Sequence, residues 1–334
     1  MALPRKQYVR DGEIGVYHCT TRCVRRAFLS GYDQYSSRDY SHRKAWIEDR
    51  LQQLASIFAV DVSTFSVMSN HYHVTVRTRP DIVASWPDSE VARRWLTLCP
   101  VRYRSKKNAH TTIEDHIIAL AHCPDRIAEL RKRLSSLSWF MANLNEFIAR
   151  SANKEDNVKG RFWESRFKCE VLLDYPSIAA CMVYVDLNPI RAGIADSPEN
   201  SSFTGIQHRL LARLRNKKSS RPPAMNDPDN LWLCPISAQT DPNGILPMSE
   251  DEYFNLVDRT GRLIRKDKRG SIDPDLAPIL ERIGINPLSW RDTASHFEDK
   301  FRLVAGLREN IRKFADQLGK PWFSGVSSAQ TSFL

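Results

Sequence analysis

The sequence lacks the features that would define a secreted, membrane-spanning or zinc-ribbon protein. Its seven cysteines are odd in number, scattered, and include no Cys-x-x-Cys pair, which argues against a disulfide framework and against a zinc ribbon. No apolar run is long enough to span a bilayer, and the first residues lack the apolar core of a signal peptide. Internal repeats are also absent. We therefore expect a cytoplasmic protein with an ordinary hydrophobic core.

The charge balance favours a polyanionic partner. The 334 residues include 49 lysines and arginines against 39 aspartates and glutamates, which gives a net charge of +10. An excess of this kind is typical of proteins that bind nucleic acid, although many basic proteins bind none. The charge alone therefore makes nucleic acid the leading candidate and excludes nothing.

Hydrophobic periodicity predicts an α+β chain. It predicts strands over 13–22, 62–68, 70–78 and 160–173, and helices over 41–59, 137–149, 174–188 and 201–213. A main domain is predicted over 1–212, with an insertion at 81–134 that carries three prolines and short helices. A polar, proline-rich linker over 213–245, a helical module over 246–322 and a tail over 323–334 complete the predicted organisation.

The strongest local signal is the segment Ser-Asn-His-Tyr-His-Val-Thr-Val that starts at Ser69. Side chains alternate across a strand, so His71 and His73 share one face while Tyr72 faces the core. Two neutral imidazoles are half of a site for a divalent metal. The alternative is that both rings only form hydrogen bonds in a surface groove.

A second signal lies on the predicted helix that follows Asp174. Tyr184 and Asn188 are four residues apart, so they lie one turn apart on one helical face. A phenol and a carboxamide placed there could both reach a metal held on an adjacent sheet. The alternative is a half-buried tyrosine and an asparagine that caps the helix before Pro189.

Four stretches resemble the HUH single-tyrosine transposases, in their branch associated with repetitive extragenic palindromes (REP). They follow one another along the chain in the order that the family has. The histidine segment is similar to the family's His-hydrophobic-His motif. Tyr184 with Asn188-Pro-Ile-Arg191-Ala-Gly is similar to the tyrosine helix. Tyr-His-Cys-Thr-Thr-Arg22 and Gly-Arg-Phe-Trp-Glu-Ser-Arg166-Phe-Lys168 are similar to the first strand and to the strand before the tyrosine helix. The resemblance covers about 8–80 and 135–212 and leaves 81–134 and the chain beyond about 215 unmatched.

The resemblance implies a ferredoxin-like α+β sandwich, with helices on one face of an antiparallel sheet and the metal on the other. It implies that the 1–212 domain is catalytic and that Mg²⁺ or Mn²⁺ is bound by His71 and His73, with Asn188 as third ligand. Tyr184 would then attack the scissile phosphate of single-stranded DNA and form a 5′-phosphotyrosyl intermediate. His18, on the first strand, is predicted to be structural.

The expected partner is single-stranded DNA that contains a hairpin or palindrome, bound by a protein that is a monomer rather than a dimer and is associated with the nucleoid. Basic side chains grip phosphates while aromatic rings stack on unpaired bases. The residues predicted to contact DNA are Arg22, Arg25, Arg26, Arg166, Lys168 and Arg191. Phe162, Trp163 and Phe167 are mostly predicted to be core.

The leading hypothesis is therefore a metal-dependent enzyme that cleaves and rejoins DNA at palindromes, in transposition or in the mobilisation of REP elements. A replication-initiator or relaxase-like nickase would use the same chemistry. The alternative of another class is a domesticated regulatory or architectural protein that recognises palindromes without cleaving them.

Overall fold

The computed structural model describes residues 3–24, 29–34, 37–100, 112–218, 232–264 and 277–334. The first half of the chain contains α1 (Arg5–Tyr8), β1 (Val16–Arg22), β2 (Tyr32–Asp33), β3 (Arg38–Asp39), α2 (Arg43–Ile57), β4 (Val60–Val67), β5 (His71–Thr78), α3 (Pro80–Ser85), α4 (Asp88–Leu98), α5 (Ile113–Ala121), α6 (Pro124–Leu134) and α7 (Leu137–Glu155). The second half contains β6 (Lys168–Leu172), α8 (Tyr175–Asp186), α9 (Asn188–Arg191), α10 (Gly205–Lys218), α11 (Glu250–Ile264), α12 (Ala277–Arg282), α13 (Trp290–Ser295), α14 (Phe297–Lys300), β7 (Val304–Ala305), α15 (Arg308–Gln317) and α16 (Val326–Ser332).

The main sheet of the described residues has the strand order β4-β5-β1-β6-β7. Strand β1 lies at its centre and pairs antiparallel with both β5 and β6. In this register Thr20 lies opposite His73 and Arg22 lies opposite His71. The register therefore brings the first strand directly against the histidine strand, as an α+β fold of this kind requires.

Helices cover both faces of this sheet. On one face Tyr72 donates a hydrogen bond to Asn145 of α7. On the other face Thr75 lies 3.7 Å (Oγ1 to Sγ) from Cys181 of α8. The α+β class is confirmed, but the position of α8 differs from the predicted arrangement with helices on a single face. The reason is that α8 is buried all round from Pro176 to Asp186, and a helix without a polar face must be covered on every side.

The C-terminal segment is built into the same core. Strand β7 pairs in parallel with β6, with Val171 opposite Val304. The side chains of Phe297 and Phe301 are fully buried. The segment 246–322, predicted as a separate helical module, therefore contributes a strand to the main sheet. Its parallel pairing also means that the sheet is not antiparallel throughout.

The predicted linker over 213–245 begins inside α10 and ends in packed structure. Residues 219–231 lie outside the described residues. Beyond them the Cys234 amide donates to the Val62 carbonyl at 2.9 Å, and Leu233 and Ile236 are buried. This part of the chain extends the core beside β4.

Two further predictions differ from the structure. The strand predicted over 160–173 is confined to Lys168–Leu172, and Trp163 before it forms an isolated bridge with Cys23. The insertion contains α5, which the periodicity did not indicate and which begins at a capping box of Thr112 and Asp115. Among the described residues, no helix is long and apolar enough to cross a membrane.

Candidate nucleophile and metal site

Strand β5 places its two histidines at one end of the sheet. The ring centroids of His71 and His73 are 4.9 Å apart and nearly perpendicular. His73 is 1% exposed, whereas His71 is half-buried at the start of the strand. The two rings are therefore neighbours, and the inner ring is shielded from solvent.

Helix α8 brings Tyr184 to the same place. The helix begins at a capping box in which the Asp174 carboxylate and the Ser177 hydroxyl bind each other's backbone amides, which satisfies amides that a helix start leaves free. Near its other end the Tyr184 ring lies 5.8 Å from the His73 ring, edge to face. The predicted nucleophile and the histidine pair therefore belong to one site.

Asn188 lies just after a break in the helix. Pro189 has no amide N–H with which to continue the hydrogen-bond ladder of α8, so α8 ends at Asp186 and a new short helix, α9, starts at Asn188. The Asn188 Oδ1 accepts a hydrogen bond from Arg191. The oxygen expected to bind metal is therefore held by a guanidinium.

Arg191 also positions Tyr184. Its guanidinium carbon lies 3.9 Å from the centroid of the Tyr184 ring. Its Nη1 donates to the backbone carbonyl of Ser295 at 3.0 Å. Arg191 thus links the Tyr184 ring to the C-terminal segment, and the DNA contact predicted for it stays a prediction.

Two residues at the site were not predicted to belong to it. The Glu298 carboxylate on α14 accepts hydrogen bonds from the Tyr184 hydroxyl at 3.2 Å and from the Thr20 hydroxyl at 3.0 Å. His18 Nε2 lies 3.0 Å from His73 Nδ1. His18 could have been found, because it lies on the same face of β1 as Thr20, which pairs with His73. Glu298 carries no such signal, since it lies 114 residues after Tyr184 in a segment without a motif.

A buried carboxylate completes a chain of contacts behind the histidines. Glu170 Oε2 lies 3.2 Å from His18 Nδ1, and both side chains are nearly inaccessible to solvent. The chain therefore runs from Glu170 through His18 to His73. Its last atom, His73 Nε2, is buried and has no hydrogen-bond partner among the described residues.

Burial sets the protonation of the site. It lowers the pKa of His71 to about 4 and that of His73 well below its ordinary value, so both rings are neutral at neutral pH. Burial also raises the pKa of the Tyr184 phenol. Burial of the Glu298 carboxyl group tends to raise its pKa. The nearby His18 and the hydrogen bonds from Thr20 and Tyr184 outweigh that effect, so the pKa of Glu298 is lowered. The site at neutral pH thus combines neutral imidazoles, a protonated phenol and a carboxylate.

Basic side chains lie exposed on the strands that carry this site. Arg22 ends β1, Lys168 begins β6 and Arg166 precedes it, and all three are exposed. Arg25 and Arg26 lie outside the described residues. Phe162 and Trp163, which precede Arg166 in the sequence, are both buried, as predicted for core residues.

The donor set fits a divalent metal ion. His73 Nε2 is an orphaned buried atom, and neutral imidazole nitrogen together with carboxylate oxygen suits first-row transition metals. His18, His73 and Glu298 each offer a ligand atom, and these three atoms lie within 4.8 Å of one another. Of the predicted ligands, His73 belongs to this group and the His71 ring lies 4.9 Å from the His73 ring, whereas Asn188 Oδ1 accepts a hydrogen bond from Arg191.

Comparison with known proteins gives one match, among the solved structures. No family model matches the chain, and no curated protein matches it. Among solved structures, the chain is similar to that of a REP-associated tyrosine transposase bound to a REP hairpin. The identity is 11%, the match covers 64% of this chain and 87% of that chain, and the TM-score is 0.37.

Proposed function

We propose that this protein is a metal-dependent nuclease and transposase that cleaves and rejoins single-stranded DNA at hairpin-forming palindromes through Tyr184. The observation that carries the proposal is the position of the Tyr184 hydroxyl. It donates to the Glu298 carboxylate at 3.2 Å on a ring that lies 5.8 Å from His73. A nucleophile, a proton acceptor and a histidine pair are the groups that such a transesterification needs.

The proposed step forms one bond and breaks one. The Tyr184 oxygen attacks phosphorus while the bond from phosphorus to the 3′-oxygen breaks, which leaves a 5′-phosphotyrosine and a free 3′-hydroxyl. The phenol proton passes to Glu298, and the departing 3′-oxygen takes up a proton. Because the covalent intermediate conserves the phosphodiester bond energy, the reverse reaction rejoins DNA without ATP.

A divalent ion bound at this site would polarise the scissile phosphate and offset its developing negative charge. His71 and His73 would hold it, with Asn188 as the predicted oxygen ligand and Glu298 as a further oxygen donor beside it. Mg²⁺ or Mn²⁺ is the expected ion. Arg191, fixed over the Tyr184 ring, would hold the nucleophile in place during the attack.

The exposed basic residues support a nucleic-acid substrate. Arg22, Arg166 and Lys168 surround the end of the sheet at which the histidines lie. Positive side chains at these positions would bind the phosphates on either side of the scissile one.

The test is adduct formation with labelled single-stranded hairpin DNA and Mg²⁺ or Mn²⁺. Wild-type protein is expected to form a complex that survives denaturation, and Tyr184→Phe is expected to form none. The matched control is Tyr175→Phe, on the same helix but half exposed, which should retain the adduct. The double variant His71→Ala/His73→Ala should lose it.

The outcome that contradicts the proposal is tight binding of hairpins without an adduct on any tested palindrome. That result would favour the regulatory or architectural alternative. A residual adduct in Tyr184→Phe at wild-type level would assign the nucleophile to another residue.

A further inference from the structure

His73 lies at the end of a chain of buried contacts that the proposed reaction does not use. The contacts run from Glu170 Oε2 to His18 Nδ1 at 3.2 Å and from His18 Nε2 to His73 Nδ1 at 3.0 Å. We propose that His18 and Glu170 are positioning residues, which fix the His73 ring so that Nδ1 carries the proton and Nε2 presents its lone pair to the divalent ion. The part of that ion in DNA cleavage rests on the proposed function, whereas the orientation of the ring does not.

The contact between the two imidazoles has the geometry of an in-plane hydrogen bond. The planes of the His18 and His73 rings are inclined by 9°, and their centroids are 5.2 Å apart. This distance is about the N···N separation of 3.0 Å plus two ring radii, so both nitrogens lie close to the line that joins the ring centres. Hydrogen bonds are strongest when they are straight. One ring therefore donates to the other and does not stack on it.

The direction of this hydrogen bond follows from Glu170. A carboxylate only accepts hydrogen bonds, and a neutral imidazole has one N–H group and one lone pair. Glu170 Oε2 therefore requires the proton of His18 on Nδ1. His18 Nε2 is then the acceptor and His73 Nδ1 the donor, which leaves His73 Nε2 unprotonated. A histidine that binds metal usually donates its other ring N–H to a fixed acceptor, and here the acceptor is a second histidine held by a carboxylate.

Thr20 supports the same position of the proton. Its hydroxyl donates to Glu298 Oε1 at 3.0 Å, which leaves the lone pairs of its oxygen for His73 Nδ1 at 3.2 Å. Both neighbours of His73 Nδ1 are therefore acceptors. On the other side of the ring, His73 Nε2 is buried and has no hydrogen-bond partner among the described residues. This is the nitrogen that the proposal assigns to the ion.

The other histidine of β5 has an acceptor of its own. His71 Nδ1 contacts the side-chain oxygen of Asn70, so the proton of the neutral His71 ring also lies on Nδ1. The Nε2 atoms of His71 and His73 are then both unprotonated. The pair can therefore bind one ion through the same atom of each ring.

The first test is the position of the His73 proton in the metal-free, full-length protein without DNA. Two-dimensional ¹H–¹⁵N NMR spectra of the histidine rings distinguish protonated from unprotonated nitrogen, and a His73→Gln sample assigns the signals. The spectra are recorded at about pH 9, because burial raises the pKa of the Glu170 carboxyl group to about 8 and the carboxylate is the form that only accepts. We expect a protonated Nδ1 and an unprotonated Nε2. Glu170→Gln should lose this preference, since an amide both donates and accepts.

The second test is binding of Mn²⁺ to the full-length protein without DNA, measured from the electron paramagnetic resonance signal of the free ion. Loss of such an orienting partner typically lowers metal affinity about 10- to 100-fold, and we expect this for His18→Leu and for Glu170→Gln. Thermal melting shows whether each variant is folded. Glu170→Gln keeps the shape of the side chain and is therefore the deciding variant.

A histidine–glutamate pair elsewhere in the protein provides the matched control. His208 Nε2 lies 2.9 Å from Glu48 Oε1, a contact of the same kind as that between His18 and Glu170. Glu48→Gln should leave the His73 proton on Nδ1 and keep Mn²⁺ affinity within about twofold of wild type.

The proposal is overturned if His73 of the wild type carries its proton on Nε2 at about pH 9. It is also overturned if folded Glu170→Gln binds Mn²⁺ as tightly as wild type does. A wild type that binds no Mn²⁺ without DNA leaves the decision to the NMR spectra. Adduct formation through Tyr184 is a separate measurement. Its absence together with the expected proton position would contradict the proposed function alone, and an adduct together with a proton on Nε2 would contradict this assignment alone.

Discussion

Two residues contact different parts of the Tyr184 side chain, one at its hydroxyl and one at the face of its ring. Glu298 accepts a hydrogen bond from its hydroxyl, and Arg191 lies over its ring. The guanidinium is planar and also donates to the Ser295 carbonyl and to Asn188. A lysine cannot reproduce this combination of stacking and divided hydrogen bonding.

We therefore expect Arg191→Lys to slow adduct formation by at least about tenfold, which corresponds to about 1.4 kcal/mol of barrier. The rate of covalent adduct formation under single-turnover conditions measures this. Arg308→Lys, at an exposed position on α15, provides the control. Equal rates for wild type and Arg191→Lys would show that the arginine does not position the nucleophile.

Only those residues of the site that lie within a short sequence motif could be predicted from the sequence. The histidine pair and Tyr184 lie within local patterns, and the structure brings them together. Glu298 lies between the fully buried Phe297 and Phe301 in the sequence, and long-range packing leaves no trace in a ten-residue window. His18 was predicted to be structural, because its contact with His73 follows only once the pairing of β1 with β5 is known.

At the scale of elements, Asp186 links the tyrosine helix to its neighbours. Its carboxylate accepts hydrogen bonds from Thr64 on β4, from Tyr253 on α11 and from the amide of Ile206 on α10. One fully buried side chain therefore connects three elements to the end of α8. The apolar pattern predicted α8 itself but not this polar junction.

The pH dependence of stability should report on Asp186. Burial raises its pKa from 3.8 to about 6. Because the folded-state pKa is the higher one, the group's contribution to stability is fully present below the unfolded pKa and is lost as pH rises through the folded pKa. A pKa difference of about two amounts to about 3 kcal/mol.

We accordingly expect the free energy of unfolding of wild type, relative to Asp186→Asn, to fall by up to about 3 kcal/mol from about pH 4 to about pH 7. Urea denaturation across this range measures it. The same comparison for Asp258→Asn, a surface position on α11 paired with Arg262, should change far less. A difference that stays constant with pH would rule out the raised pKa.

At the scale of the molecule, the segment after residue 246 shares one core with the sheet. The Val171 amide donates to the Leu303 carbonyl at 2.8 Å, and the Leu173 amide donates to Ala305 at 2.9 Å. The linker composition predicted a boundary here, because polar and proline-rich residues precede the segment. Composition describes the connection and contains no information about what its two ends pack against.

We expect this shared core to unfold in one step. Phe301→Ala, at a fully buried position in the C-terminal segment, should lower the free energy of unfolding by about 3–5 kcal/mol. Urea titrations followed by tryptophan fluorescence and by far-ultraviolet circular dichroism should shift together. Two separate transitions, with only one moved by the substitution, would instead support an independent module.

The basic residues around the site should act together on DNA affinity. Replacing Arg22, Arg166 and Lys168 by glutamine should weaken hairpin binding and reduce the slope of log affinity against log salt by about 2, at roughly 0.7 for each phosphate that is no longer neutralised. Fluorescence anisotropy over a salt series measures the slope. A triple glutamine variant at Arg308, Arg312 and Lys313 on α15 removes the same charge away from the site and should leave the slope nearly unchanged.

The long separation between Tyr184 and Glu298 has a consequence for the newly made protein. Synthesis at 5–20 residues per second takes about 6–23 s to add the 114 residues between them. During that interval the nascent chain carries its tyrosine and both histidines of β5 but not the carboxylate that accepts the hydrogen bond of the phenol. Any reactivity that depends on Glu298 therefore begins only after the chain has been translated through α14 and this segment has folded against the sheet.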